Sequence, residues 1–111
     1  MKFRFILLLA LLSADMALAN EVHDLLMGMT EEKRAYALAR LLERSGERCP
    51  SVRRTFYQGS DNNGNAFWNA DCVAGSSWVM QINNDSRGSM RIAKCSAIKA
   101  ISGLACFTKL K

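Results

Sequence analysis

The chain lacks the equipment of the familiar catalytic devices. One histidine, His23, and one proline, Pro50, occur in 111 residues. A Ser-His-Asp or Cys-His arrangement would have to recruit that histidine from near the beginning of the chain, remote in sequence from every cysteine. Cys49, Cys72, Cys95 and Cys106 follow one another at gaps of 23, 23 and 11 residues, and zinc sites need ligand pairs only about two to four residues apart. Acidic residues number ten against fifteen basic ones. Glu31, Glu32, Glu43 and Glu47 belong to a helix surface, and Asp61, Asp71 and Asp85 are spread over turns and strand ends, so no pair is spaced for general acid–base work. Asp61, Asn63 and Asn65 alternate like the start of a calcium loop, but Ala66 stands where that loop needs glycine and Cys72 where it needs a bidentate glutamate. An Asx-rich hairpin turn accounts for them better. No enzyme, no metal and no cofactor is expected.

Long apolar runs are equally scarce, and the one present is at the beginning. Lys2 and Arg4 precede Phe5 to Leu12, and Ala17-Leu18-Ala19 supplies the small residues a signal peptidase recognises, so residues 1–19 are expected to be a signal peptide cut after Ala19. The run is too short for a membrane span of roughly 20 apolar residues. No cysteine opens the remaining chain, which argues against a bacterial lipid anchor. A cut after Asn20 would put His23 third from a free amine, an arrangement that chelates copper or nickel, but asparagine does not suit the peptidase. Residues 20–111 are then one domain, periplasmic or secreted, with no stable membrane span. Removing Lys2, Arg4 and Asp15 leaves 13 basic against 9 acidic residues. A surplus of that size suits an anionic partner and is also ordinary for a solvated surface.

An even number of cysteines in an exported chain reads as two disulfides. In a domain this small each bridge contributes about 2–4 kcal/mol, a large share of the net stability.

The expected fold is α+β. Residues 20–48 form an N-terminal helix or helical hairpin. Asn20 caps a short segment carrying Val22, Leu25, Leu26 and Met29, and Gly28 ends it. Thr30 caps a second helix with Glu31 and Glu32 in its first turn, Arg44 and Gly46 at its far end, and Leu38, Leu41 and Leu42 as its apolar stripe. Residues 49–111 form a four-stranded antiparallel meander with a short C-terminal helix over Ser96 to Ser102. Turns fall at Asp61–Gly64, Val73–Gly75 and Asp85–Gly88. Side-chain alternation puts Ala66, Trp68, Ala70 and Cys72 on one face, with Trp78, Met80, Ile82, Met90 and Ile92. Three-residue loops with left-handed Gly75 and Gly88 then set Ala70 beside Trp78, Trp68 beside Met80 and Ile92, and Ala66 beside Ile82 and Met90.

The meander restricts the disulfides. Cys72 and Cys95 are separated by an intervening strand, roughly 9–10 Å at the usual spacing and beyond the ~7 Å limit between bridged α-carbons. Cys49–Cys72 and Cys95–Cys106 are favoured. Cys49 and Cys72 point oppositely by parity unless Pro50 takes Cys49 off the strand.

The sheet's outer face is the candidate contact surface. Arg53, Arg54, Arg87, Arg91, Lys94 and Lys99 lie near Phe56, Tyr57 and Phe67, and the binding face is drawn through Arg53, Tyr57, Phe67 and Arg91. Asn84-Asp85-Ser86 is formally a glycosylation sequon placed in a tight turn. An exported chain has little access to nucleic acid, so a protein or an anionic component of the cell envelope is the expected partner.

The stretch Cys49 to Phe107, with Phe56-Tyr57-Gln58-Gly59-Ser60-Asp61, Gly64-Asn65-Ala66-Phe67-Trp68-Asn69, Trp78-Val79-Met80, Gly88-Ser89 and all four cysteines, resembles a group of small uncharacterised exported proteins of proteobacteria. The resemblance implies a periplasmic location and a shared disulfide framework, and brings no activity with it. The function expected is that of a small disulfide-stabilised accessory or binding domain of the envelope. The alternatives are a small secreted hydrolase or an enzyme inhibitor. A cleft holding Asp61, Asp71 or Asp85 beside a basic residue would favour the hydrolase, and a flat aromatic and basic face the binder.

Overall fold

The structure, a computed structural model, describes residues 20–110; the expected signal peptide lies outside them. Three helices, α1 (Glu21–Met27), α2 (Glu31–Arg44) and α3 (Cys95–Ser102), accompany four strands, β1 (Val52–Ser60), β2 (Ala66–Cys72), β3 (Ser77–Ile82) and β4 (Met90–Lys94). The strands form one antiparallel meander in the order β1-β2-β3-β4. The α+β architecture is as expected. Among the described residues no helix is long and apolar enough to cross a membrane.

The helices begin and end where local chemistry sets them. The Asn20 side chain accepts from the His23 amide and that of Thr30 from the Lys33 amide, satisfying donors that the first turn leaves unpaired. At the far end of α2, Gly46 takes φ 86°. Its amide donates to Glu43 O at 3.0 Å, and the Glu47 amide to Leu42 O at 3.0 Å, which makes a Schellman motif with Ser45 as the cap.

One face of the sheet forms the core. Ala66, Trp68, Ala70 and Cys72 are buried with Trp78, Met80 and Ile82 against Leu26, Leu38, Ala39 and Leu42 of the helices. Ala70 pairs with Trp78, Trp68 with Met80, and Ala66 with Ile82; Met80 in turn pairs with Ile92 and Ile82 with Met90. Small residues thus face large ones across each layer, the complementarity that fills a core without voids. The expected register is the observed one. The later turns nevertheless exceed three residues, since pairing of α-carbons stops at Asp71↔Ser77 and Ile82↔Met90. In the second of them the Asp85 carboxylate gathers the amides of Arg87 and Ser89 and the Ser89 hydroxyl, which supports a wider loop. Gly75 and Gly88 keep positive φ. A Cβ on Gly88 would come within 2.6 Å of Val22 Cγ2, so this turn must approach α1 without a side chain.

Both disulfides are the expected ones. Cys49–Cys72 spans 5.6 Å between α-carbons and Cys95–Cys106 spans 5.8 Å. Val52 pairs with Cys72, and Cys49 precedes β1 beyond the bend at Pro50. The bend removes the conflict of parity.

Two polar side chains join the helices to the sheet. Asn20, buried, donates from Nδ2 to Gly64 O and to Ile82 O, both at 3.0 Å, tying the start of α1 to the β1–β2 turn and to the end of β3. The Arg34 guanidinium donates to Leu26 O at 2.9 Å and Met29 O at 2.8 Å and lies 5.2 Å from the centre of the Trp68 ring. It closes the α1–α2 turn over the core. Replacement of Asn20 by Ala is expected to destabilise the fold by about 2–3 kcal/mol, through loss of the cap and of partners for two carbonyls. Asn20→Ser keeps an equally good cap but loses the amide donors, without adding a buried charge. In urea unfolding, a midpoint for Asn20→Ser between those of wild type and Asn20→Ala checks that the two roles are separate.

Candidate functional site: a groove on the outer face of the sheet

The outer face is a groove, and not the flat face that would have favoured a binder. Two rows of side chains make its floor: Val79 and Ala93, paired across β3 and β4, then Phe67, Gln81 and Arg91, paired across β2, β3 and β4. One wall is α3 and the turn after it, contributing Ile98 and Leu104. The other is the C-terminal arm, contributing Thr108, Lys109 and Leu110. The enclosed volume is about 1220 Å³, larger than the roughly 300–1,000 Å³ of a typical small-ligand pocket.

The arm is fixed by a buried amide pair. Asn69 Nδ2 donates to Gln58 Oε1 at 2.9 Å, and Asn69 Oδ1 accepts from the Phe107 amide at 2.7 Å. Gln58 Nε2 donates to Ala105 O and Thr108 O, each at 3.2 Å. The Leu110 amide then reaches Gln58 O at 2.9 Å, and Leu110 Cβ would lie 3.4 Å from a Cβ on Gly59. Phe107, held at φ 61°, packs edge-on against Phe56 and lies under the Arg54 guanidinium at 4.0 Å. These contacts also cover the free edge of β1. On the helix side the same edge is covered by Glu31, whose carboxylate accepts from the Thr55 amide at 2.8 Å. An edge covered in this way offers no template for pairing with another chain.

The four residues chosen for the binding face are not brought together. Phe67 and Arg91 line the groove. Tyr57 does not share their face: it pairs with Trp68 and packs against that ring at 5.1 Å and against His23 at 4.7 Å, on the helix side. The register shifts between Val52 and Arg54 and between Tyr57 and Gly59, and each bulge changes which side the following residues face. Arg53 is an anchor at the far end of the sheet. Its Nε pairs with Asp71 Oδ2 at 3.1 Å and its guanidinium also donates to Cys72 O at 3.1 Å.

The three aspartates are engaged in structure. Asp71 takes Arg53 and the Ser77 hydroxyl. Asp85 is held below the usual carboxylate range by the Ser89 hydroxyl and amide, against a smaller opposing effect of desolvation. Asp61 stands on the rim of the groove. Desolvation works to raise its pKa, but bonds from the Asn65 side chain and from the amides of Asn65, Asn63 and Gly64 together lower it. A carboxylate so held is a poor general base and a poor acid at neutral pH. Asn84, the sequon residue, is committed too, donating from Nδ2 to Asn63 O at 3.1 Å while its amide donates to Asn65 Oδ1 at 2.9 Å.

His23 lies on the opposite side of the sheet from the groove. Its Nδ1 accepts from Trp68 Nε1 at 3.0 Å, which requires the neutral ring. Burial lowers its pKa from 6.5, with Asp24 opposing. The unfolded chain therefore binds the proton more readily, and His23's contribution, complete above its unfolded pKa, is lost as pH falls from there through the folded value. The urea midpoint is expected to drop between about pH 7.5 and about pH 5.5, and His23→Gln to flatten that slope. Asp61 and Asp85, both lowered from 3.8, stay ionised across this window and leave it to His23. For the arm, Asn69→Ala is expected to cost about 2–3 kcal/mol, because Gln58 loses its partner inside the protein. Faster amide exchange at Phe107 and Leu110 than in wild type checks that the loss falls on the arm.

Compared with family models, with curated proteins and with solved structures, the chain matches none, so the role of the groove rests on its own geometry.

Proposed function

We propose that the protein is an exported binding domain of the cell envelope, periplasmic or secreted, which takes its partner into the groove on the outer sheet face and carries out no chemistry there. The groove itself is the observation that supports this most directly. It is concave and mostly apolar, with a few polar groups at one end, the usual make-up of a binding site. Two disulfides in so small a domain suit an oxidising compartment.

The hydrolase reading has one feature in its favour, the presence of Asp61 on the rim together with Arg91 and Lys109. Asp61 is nonetheless held ionised within its own turn, and Lys109 Nζ is occupied by Tyr57 O at 2.9 Å. His23 is on the other face. No acid and base are thus poised over the floor of the groove.

A groove-filling substitution tests the proposal. Ala93 lies on the floor and its replacement by Trp would occupy the space without touching the core. Protein isolated from the exported fraction is expected to begin at Asn20, to contain no free thiol and to retain a bound component by native mass spectrometry that Ala93→Trp loses. A component retained equally by a folded Ala93→Trp variant, or turnover of a cell-wall or lipid substrate by the pure protein, would overturn it.

A further inference from the structure

The two ends of the groove differ, and the difference identifies a ligand class. At one end the floor is Val79 and Ala93, with Ile98 and Leu104 on the wall. At the other it is Phe67, Gln81 and Arg91. Two cations line the groove, Arg91 and Lys109, and Lys109 Nζ already donates to Tyr57 O at 2.9 Å. Arg91 is exposed and has no carboxylate partner among the described residues. An apolar trough ending in an uncommitted guanidinium complements a molecule with an alkyl chain and an anionic head.

Resting on the reading of the groove as the binding surface, we infer that its ligand is a free single-chain anionic amphiphile, a fatty carboxylate or a monoalkyl phosphate. The chain lies over Val79 and Ala93 beside Ile98 and Leu104, and the head sits on Arg91. Asp61, the rim carboxylate, stands past the end of β1 while Arg91 is on β4. The strands themselves are three spacings of ~4.8 Å apart, roughly 14 Å between backbones, and the Asp61 carboxylate is already bonded within its own turn by Asn63 and Asn65, which leaves Arg91 as the partner for the head.

Two other occupants fit less well. A peptide would bring backbone amides needing partners on the floor. There the Gln58 and Asn69 side chains are spent on the arm, and Gln81 Nε2 donates to Asn83 Oδ1 at 2.8 Å. A bilayer surface takes up apolar side chains that project outwards, as Ile101 does, but Val79 and Ala93 lie on a floor between walls and would stay beyond its reach.

Isothermal titration calorimetry on the full exported chain tests the inference, with decanoate, dodecanoate, dodecyltrimethylammonium and vesicles of anionic diacyl lipid as probes. Dodecanoate is expected to bind more tightly than decanoate, by up to about fourfold per added methylene, and far more tightly than the cationic amphiphile of equal chain length. Arg91→Gln, a change at an exposed position, is expected to weaken dodecanoate binding about tenfold or more, and Ala93→Trp to abolish it. Equal binding of both head charges, indifference to chain length or to Arg91→Gln, or binding to vesicles alone would overturn the assignment. If dodecanoate fails to bind while Ala93→Trp still loses the envelope-derived component, the ligand class falls and the binding domain stands. If neither observation depends on the groove, both fall.

Discussion

Strand alternation is the constraint on which this structure depends. Because side chains leave a strand on opposite faces in turn, placing Trp68 between Ala66 and Ala70 on the inner face necessarily sends Phe67 and Asn69 to the other. The sheet must then be covered twice. The inner face receives α1 and α2, whose leucines meet the tryptophans in the core. Among the described residues the outer face receives only α3 and the arm that ends at Leu110. That asymmetry makes one side a core and the other a groove.

Much of this could be read in the sequence because the signals are local. The caps at Asn20 and Thr30, the glycine after α2 and the regular alternation in β2, β3 and β4 each depend on residues only a few positions apart. The disulfides followed from the register by distance. Tyr57 was misplaced because the two bulges of β1 have no distinctive residue pattern: Arg53-Arg54 reads as ordinary strand, and Gly59 at φ 140° looks like any strand glycine. Where a strand carries an extra residue, parity counted along the chain no longer identifies a face.

The groove was hidden for a different reason. Its arm is held by Gln58 and Asn69, two amides whose burial is tolerated only because each satisfies the other and the carbonyls and amide of residues 105–108. Nothing near either residue in sequence indicates that its partner lies on a strand eleven residues away, or on an arm some forty to fifty residues further along. Sequence patterning locates apolar faces well and locates polar clamps poorly, since a buried amide and an exposed one are the same letter. Phe67 and Arg91 could be chosen by face alone, whereas the concavity between them could not.

The way the walls are attached bears on what the groove can do. α3 has no buried residue, and Ile101 and Leu104 remain 84% and 52% exposed. Apolar packing therefore contributes little to holding this segment. Its position is set by the Cys95–Cys106 bridge at its ends and by the bonds that Gln58 and Asn69 make beyond the second cysteine. A wall fixed at its ends with few buried contacts belongs to the part of a structure that opens most easily. The core beneath it, closed by Cys49–Cys72 and by the helices, does not share that weakness. The bridge limits how far the wall can move, and Ile98 and Leu104 are the apolar side chains that the wall offers to the groove. A tethered wall of this kind can adjust to chains of different length without disturbing the fold, because the floor against which they pack is the back of the hydrophobic core.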